Sequence, residues 1–285
     1  MNDIIRRIED ILDTTIIHHQ LVGGGCIAKT QVIKTEGGDQ FFLKSGFSNT
    51  MFRNEANGLR ELSKANCIRI PKVIAVDEDF LLLENIETGI RSGNFFTEFG
   101  QAFAHLHQYT SSGFGFYEDN YIGATPQVNL SSLTESNNWP EFYFNKRLKF
   151  QFLLAEKNGF SDAGFRRLFS GIERQIYQIL DGSEEPPTLL HGDLWGGNYI
   201  VDNQNKAVLI DPAVYYGHRE ADLAMTKLFG GFGPQFYQSY QQTFPLKEGY
   251  EYRQNIYLLY HVLNHLNLFG SSYKSQSEQL MRYYQ

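Results

Sequence analysis

The sequence predicts an α+β chain of two lobes: a small antiparallel β lobe with one helix, then a larger, mainly α lobe. Short strand-like runs punctuated by Gly-rich turns dominate up to Glu84. From about residue 91 the apolar residues follow a helical period. With 285 residues, 42% of them hydrophobic, the chain can fill two cores.

Ile4 to Leu12 has the spacing of a short amphipathic helix and lacks the pattern of a secretory signal. Strands are expected over Ile16–Val22, Ile27–Thr35 and Gln40–Lys44, with Gly23-Gly24-Gly25 and Glu36-Gly37-Gly38-Asp39 as the turns of a meander. Asn54 to Ala65 is helical. Two further strands, Pro71–Val76 and Phe80–Glu84, meet at an Asp77-Glu78-Asp79 turn. Helices are then expected over Phe95–Tyr109, Trp139–Lys157, Ala163–Leu180, Ala221–Phe229 and Arg253–Leu268. Tyr109 to Asn138, rich in Gly, Ser and Asn, reads as a long ordered loop. The lobe boundary falls near Ile86 to Gly93, giving an N-terminal nucleotide-binding lobe over 1–88 and a catalytic and substrate-binding lobe over 89–285.

A net charge of −7 argues against nucleic acid, which requires a basic footprint, and against anionic membranes. No apolar run is long enough to span a bilayer. Two cysteines, Cys26 and Cys67, make no disulfide framework, which points to the cytoplasm and leaves the sequon Asn129-Leu130-Ser131 unused. Cys67, after a helix, reads as buried packing.

The most informative stretch is His191-Gly192-Asp193-Leu194-Trp195-Gly196-Gly197-Asn198, with Asp211 closing the next apolar run. Asp193 and Asn198 are five residues apart, and Asp211 lies thirteen beyond Asn198. That is the spacing of the catalytic loop and metal-binding aspartate of a two-lobed protein-kinase-like fold. Asp193 can accept the proton of an attacking hydroxyl. Asn198 and Asp211 offer hard oxygen ligands to Mg²⁺, which holds the phosphates of ATP.

The first lobe supplies matching parts. Gly23, Gly24, Gly25 and Cys26 sit between two strands, where backbone N–H groups can approach phosphate; taken alone the glycines read first as a plain hairpin turn, and the phosphate reading draws its weight from Lys44. No Gly-Lys-Ser/Thr follows, so this is not a Walker loop. Lys44 is placed to reach the α- and β-phosphates, and Glu55, eleven residues on, to pair with it. Glu84, Asn85 and Ile86 form the expected hinge. The Glu84 carbonyl and Ile86 amide there are expected to meet the adenine edge, and a role for the Glu84 side chain stays open.

These residues resemble the fructosamine kinase (ketosamine-3-kinase) family, related to the aminoglycoside phosphotransferases. The resemblance covers nearly the whole chain. It is carried by Gly23–Ile27, Asp119–Gly123 with Pro126-Gln127, Trp139–Tyr143, His191–Asn198, Asp211–Ala213, Tyr216–Glu220, Tyr260-His261, Asn264-His265 and Phe269-Gly270. Trp195 discriminates most sharply. The resemblance implies ATP- and Mg²⁺-dependent phosphorylation of the sugar 3-hydroxyl of ketoamines, either small molecules or glycated proteins, followed by loss of the sugar and deglycation. It implies Asp193 as general base, Asn198 and Asp211 as metal ligands, Lys44 and Glu55 on the phosphates, Trp195 walling the ketoamine site and His265 donating a hydrogen bond to the sugar. Trp195 as a packing plug and His265 as a core histidine stay open. His191 reads as a brace for the loop, His105 and His107 as structural, and His218 as ordering the segment after Asp211. Asp211 is followed by Pro212-Ala213 rather than Phe-Gly, which argues against a peptide kinase switched by loop phosphorylation.

Two rivals remain at this stage: a kinase of another small hydroxyl compound, aminoglycoside- or choline-like, and a catalytically silent ATP-binding protein. Cys26, beside the expected phosphate position, is a candidate redox site, so the chain is expected to be a monomer or a Cys26-linked dimer.

Overall fold

The computed structural model describes residues 2–23, 28–46 and 50–285. Gly24, Gly25 and Cys26, and with them most of the expected glycine turn and the candidate redox cysteine, lie outside the described residues. Helix α1 (Asn2–Leu12) leads into strands β1 (Ile16–Leu21), β2 (Lys29–Thr35) and β3 (Gln40–Ser45). Helix α2 (Met51–Lys64) follows, then β4 (Val73–Val76) and β5 (Phe80–Glu84). The five strands form one antiparallel sheet in the order β1-β2-β3-β5-β4.

Period-two alternation distributes this sheet between two helices. Ile33, Leu43, Phe80 and Leu82 pack with Ile8 of α1, whereas Leu81 and Leu83 pack with Phe52, Ala56 and Leu59 of α2. Each fully buried side chain of this kind contributes about 1.5–3 kcal/mol. The same alternation turns Lys44 away from Leu43 and onto the α2 face.

The second part contains α3 (Phe95–Leu106), strands β6 (Asn120–Ile122) and β7 (Thr125–Gln127), α4 (Leu133–Asn137) and α5 (Trp139–Tyr143). A π-helical stretch, Phe144–Lys149, joins α5 to α6 (Phe150–Lys157), and α7 (Ala163–Ile179) follows. Short strands β8 (Thr188–Leu190), β9 (Tyr199–Val201), β10 (Ala207–Leu209) and β11 (Tyr215–Gly217) precede α8 (Arg219–Leu228), α9 (Pro234–Thr243), α10 (Tyr250–Phe269) and α11 (Lys274–Arg282). Strand β8 pairs with β11 and β9 with β10, so both loops that carry the expected catalytic residues hang from ladders. Among the described residues no helix is long and apolar enough to cross a membrane.

Three expectations need correction. The stretch 109–138 is not a plain loop, because it contains the β6–β7 hairpin and α4. The helix expected over Trp139–Lys157 is interrupted by the π-helical stretch, whose Arg147 guanidinium is fully buried 3.9 Å from the Tyr215 ring centroid. Cys67 is half-buried rather than buried. Helices α9 and α11 come in addition to the expected set.

Candidate active site

The loop from β8 to β9 is shaped by backbone constraints first. Gly192 has φ +83°, and a Cβ there would lie 1.9 Å from the Ala213 carbonyl oxygen, so only glycine fits. Buried Asp222 of α8 accepts from the amides of His191 at 2.7 Å and Gly192 at 2.8 Å. His107 donates Nε2–H to Asp222 at 3.3 Å and accepts at Nδ1 from the Tyr240 hydroxyl at 2.7 Å. Burial drives the His107 ring towards its neutral form. Asp222 is also desolvated, but its hydrogen bonds and His107 outweigh this and hold its carboxyl below the usual range. His191 donates Nε2–H to the Ile210 carbonyl at 2.9 Å and accepts at Nδ1 from the Asp193 amide at 3.3 Å, the bracing arrangement expected of it. His218 caps α8 and lies between Ser183 and Glu220.

Asp193 enters the cleft from this frame. Asn198 Nδ2 donates to its backbone oxygen at 2.8 Å and to Oδ2 at 3.3 Å. Enclosure by protein first, and then the negative charges of Asp211 and Asp222, push the Asp193 carboxyl well above the usual range. A carboxylate made this costly takes up a proton more readily, the property a general base needs.

Asp211 has φ +53°, a left-handed conformation that aspartate tolerates better than most residues. It is pinned on both sides, since Ile210 N–H donates to Asn198 O at 3.0 Å and Ala213 N–H to His191 O at 2.9 Å. Lys44 bridges the two lobes: its ammonium donates to Glu55 Oε1 at 2.7 Å and to Asp211 Oδ1. Burial alone would lower the Lys44 pKa, but the two carboxylates outweigh it and hold the ammonium above its ordinary value. Glu55 is pushed up by burial and held against that by Lys44.

The donor set suits a hard, phosphate-bound cation. Asn198 and Asp211 offer one amide oxygen and one carboxylate, and among the described residues no group of three or more His, Cys, Asp or Glu could cage a metal alone. A small divalent cation that completes its shell with phosphate oxygens and water fits such a pair.

At the expected hinge the Glu84 side chain has a partner. Its Oε1 accepts from Arg69 at 2.7 Å, and Arg69 also donates to Asp202 at 2.7 Å, tying β5 to the β9–β10 turn. Asn85 donates to Gln40 at 3.4 Å, and Ile86 is buried.

The side of the loop expected to meet the acceptor is aromatic. Trp195 is 37% exposed, and its ring covers Gly197, where a Cβ would lie 2.3 Å from the indole. It is therefore not a plug buried in the α lobe. Its neighbour Phe229 stands edge-on at 5.9 Å and also packs against His265 at 5.0 Å. His265 donates Nδ1–H to the His261 carbonyl at 2.7 Å, and burial favours the neutral ring, so Nε2 is an acceptor. This corrects the expectation that His265 donates to the sugar.

Sequence reasoning gave several residues no role, although Asn120 and Gln127 stand in the stretches that carry the resemblance. Asn120 donates to Val214 O at 2.7 Å, and Gln127 donates to Ala213 O at 2.9 Å and to Asn120 Oδ1 at 2.9 Å. Both are buried, and both hold the backbone just after Asp211. Asn and Gln in a Gly-rich stretch carry no periodic signal. Asp222 reads in sequence as one acid in the first turn of a helix.

A fructosamine kinase family profile matches residues 1–284. The chain is 40% identical over 269 residues to the chloroplastic protein-ribulosamine 3-kinase of Arabidopsis thaliana, covering 91% of this chain and 80% of that one. It is 39% identical to a probable ketoamine kinase of Enterococcus faecium, covering 91% and 92%. A Thermobifida fusca crystal structure that carries the name fructosamine-3-kinase superposes with a TM-score of 0.88 at 28% identity, covering 100% and 99%. An ADP-bound aminoglycoside phosphotransferase, at 14% identity and a TM-score of 0.65 over 99% and 98% of the two chains, shares the fold.

Proposed function

The chain belongs to the fructosamine kinase family, and from this membership and the cleft geometry we infer how it works as an ATP-dependent kinase of ketoamines. It is a phosphotransferase with a hydroxyl acceptor. The reading extends to the sugar 3-hydroxyl of ribulosamine or fructosamine adducts, borne on small amines or on protein lysines, with deglycation as the consequence.

The observation that carries it is the bridge from Lys44 to both Glu55 and Asp211, with Asn198 joining Asp211 to Asp193. We divide the lobes at 1–88 and 89–285, with the Glu84 carbonyl and the Ile86 amide facing adenine and Gly23, Gly24, Gly25 and Cys26 near the phosphates. Lys44, oriented by Glu55, neutralises the α- and β-phosphates. Asn198 and Asp211 would hold Mg²⁺, which supplies charge neutralisation at the phosphates when bound.

Asp193 orients the sugar hydroxyl and receives its proton. The hydroxyl oxygen attacks the γ-phosphorus in line. The new O–P bond forms as the bond to the β–γ bridging oxygen breaks, and ADP leaves. The protein mainly positions and neutralises. Trp195 walls the ketoamine, and neutral His265 accepts a hydrogen bond from it.

The test is ADP release with a ribulose–lysine adduct, a fructose–lysine adduct and an aminoglycoside, each with and without Mg²⁺. Release on the ketoamines alone, and only with Mg²⁺, is expected. Release on the aminoglycoside alone would overturn the acceptor assignment.

A further inference from the structure

The acceptor side continues past Trp195 and His265. Phe229, at the end of α8, packs against both rings. His265 then meets Phe269 at 5.4 Å and Tyr273 at 5.3 Å, and those two rings lie 6.3 Å apart. The result is an unbroken run of rings from the catalytic loop to the end of α10. Large apolar side chains stay exposed on a surface only at a cost, and here they do so contiguously: Phe229 is 45% exposed and Phe269 57%. His265 is the one ring of the run that could become a cation; burial favours its neutral form, in which Nδ1–H is spent on the His261 carbonyl and Nε2 is a lone-pair acceptor.

A ketoamine has two halves. The sugar half must reach Asp193 for its hydroxyl to react. The amine half carries a secondary ammonium and then whatever the amine was attached to. An ammonium suits this surface twice over, since it can donate to a neutral imidazole and lie over aromatic faces. An aliphatic stem beyond it would cover the exposed rings.

We propose that Phe229, Phe269 and Tyr273 extend the acceptor site into an uncharged aromatic shelf that binds the amine half of the ketoamine: a secondary ammonium, then an aliphatic stem whose far end is uncharged, as in a lysine within a peptide. The proposal rests on the ketoamine reading above and specifies its substrate class. The shelf is continuous with the acceptor site through Trp195, two residues from Asp193 in the same loop. A zwitterionic free amino acid would bring two charges onto rings that offer them no ionic partner.

The experiment measures kcat/KM with ATP and Mg²⁺ on three ribulose adducts: ethylamine, the ε-amine of free lysine, and the ε-amine of lysine blocked as its acetyl amide. Wild type, Phe269→Ala and Phe269→Leu are compared. Wild type is expected to favour blocked over free lysine by about threefold or more. Phe269→Ala should lose about tenfold on the blocked-lysine adduct and at least about threefold less on the ethylamine adduct, while Phe269→Leu, which keeps apolar surface, recovers most of the loss. Equal losses of Phe269→Ala on both adducts, or none on either, would overturn the shelf while leaving the ketoamine reading intact. Absence of turnover by wild type on all three adducts would remove the ketoamine reading and the shelf with it.

Discussion

The Tyr260 hydroxyl donates to Gln127 Oε1 at 2.8 Å, and through this contact helix α10 reaches the backbone that follows Asp211. Gln127 spends both amide hydrogens on Asn120 and the Ala213 carbonyl, so its hydrogen-bonding groups are engaged in a buried setting. Replacing Gln127 by Met keeps the volume but strands these partners, at a cost of about 1–3 kcal/mol. Asp211 then loses part of its support. We predict a weaker apparent Mg²⁺ affinity for Gln127→Met, measured by metal titration of activity, and a smaller effect in the same direction for Tyr260→Phe. Unchanged metal titrations alongside lowered stability would reduce Gln127 to a purely structural role.

Lys44 serves two carboxylates, so its loss acts on both activity and stability. Lys44→Met should lower kcat/KM by roughly 10²–10³ and destabilise the protein by about 1.5–3 kcal/mol, because Glu55 is left enclosed without its cation. Adding Glu55→Gln should restore much of the stability and none of the activity. Recovery of activity in the double variant would contradict a direct role for Lys44 at the phosphates.

The first lobe was legible in sequence because period-two runs and turn residues report strands directly, and β5 falls on Phe80–Glu84 as expected. The spacing from Asp193 to Asn198 to Asp211 was legible because two loops that must meet at one substrate fix their chain separation. What the sequence hid is the support around them. Gln127, Asn120 and Asp222 act through one or two hydrogen bonds each to backbone far along the chain, and no local period encodes such a contact. The acceptor role of His265 Nε2 depends on where Nδ1 finds a carbonyl, which only the helix geometry reveals.

Gly197 and Trp195 make a separable prediction. A Cβ at position 197 meets the indole at 2.3 Å, so Gly197→Ala must displace Trp195. The ketoamine KM should rise, or kcat/KM fall, by up to about 10²-fold, while the dissociation constant for ATP, measured calorimetrically, stays the same. Normal ketoamine kinetics in Gly197→Ala would show that Trp195 does not wall the acceptor.

Stability should decline in mild acid. Burial first, with help from Arg147, pulls the His261 ring down to about 3 against the opposing pull of Asp222. Its folded pKa lies below the unfolded value of about 6.5, so below that pH the unfolded chain binds a proton the folded one refuses. The stability is whole above pH 6.5 and shrinks as pH falls through it. Between pH 7.5 and 5.5 wild type should lose about 1.4 kcal/mol more than His261→Gln in chemical denaturation. Equal losses would mean that His261 is protonated in the folded protein.

The central claim is that Asp193 drives transfer of the ATP γ-phosphoryl group to the 3-hydroxyl of a ketoamine. Single-turnover phosphorylation of a ribulose–lysine adduct, with the phosphate located by phosphorus–proton correlation NMR, tests it most directly. Wild type should yield the 3-phosphate, and Asp193→Asn should slow its formation by about 10²–10⁴ with ATP binding retained. Phosphate at another hydroxyl, or an Asp193→Asn protein that keeps most of its rate, would contradict the account.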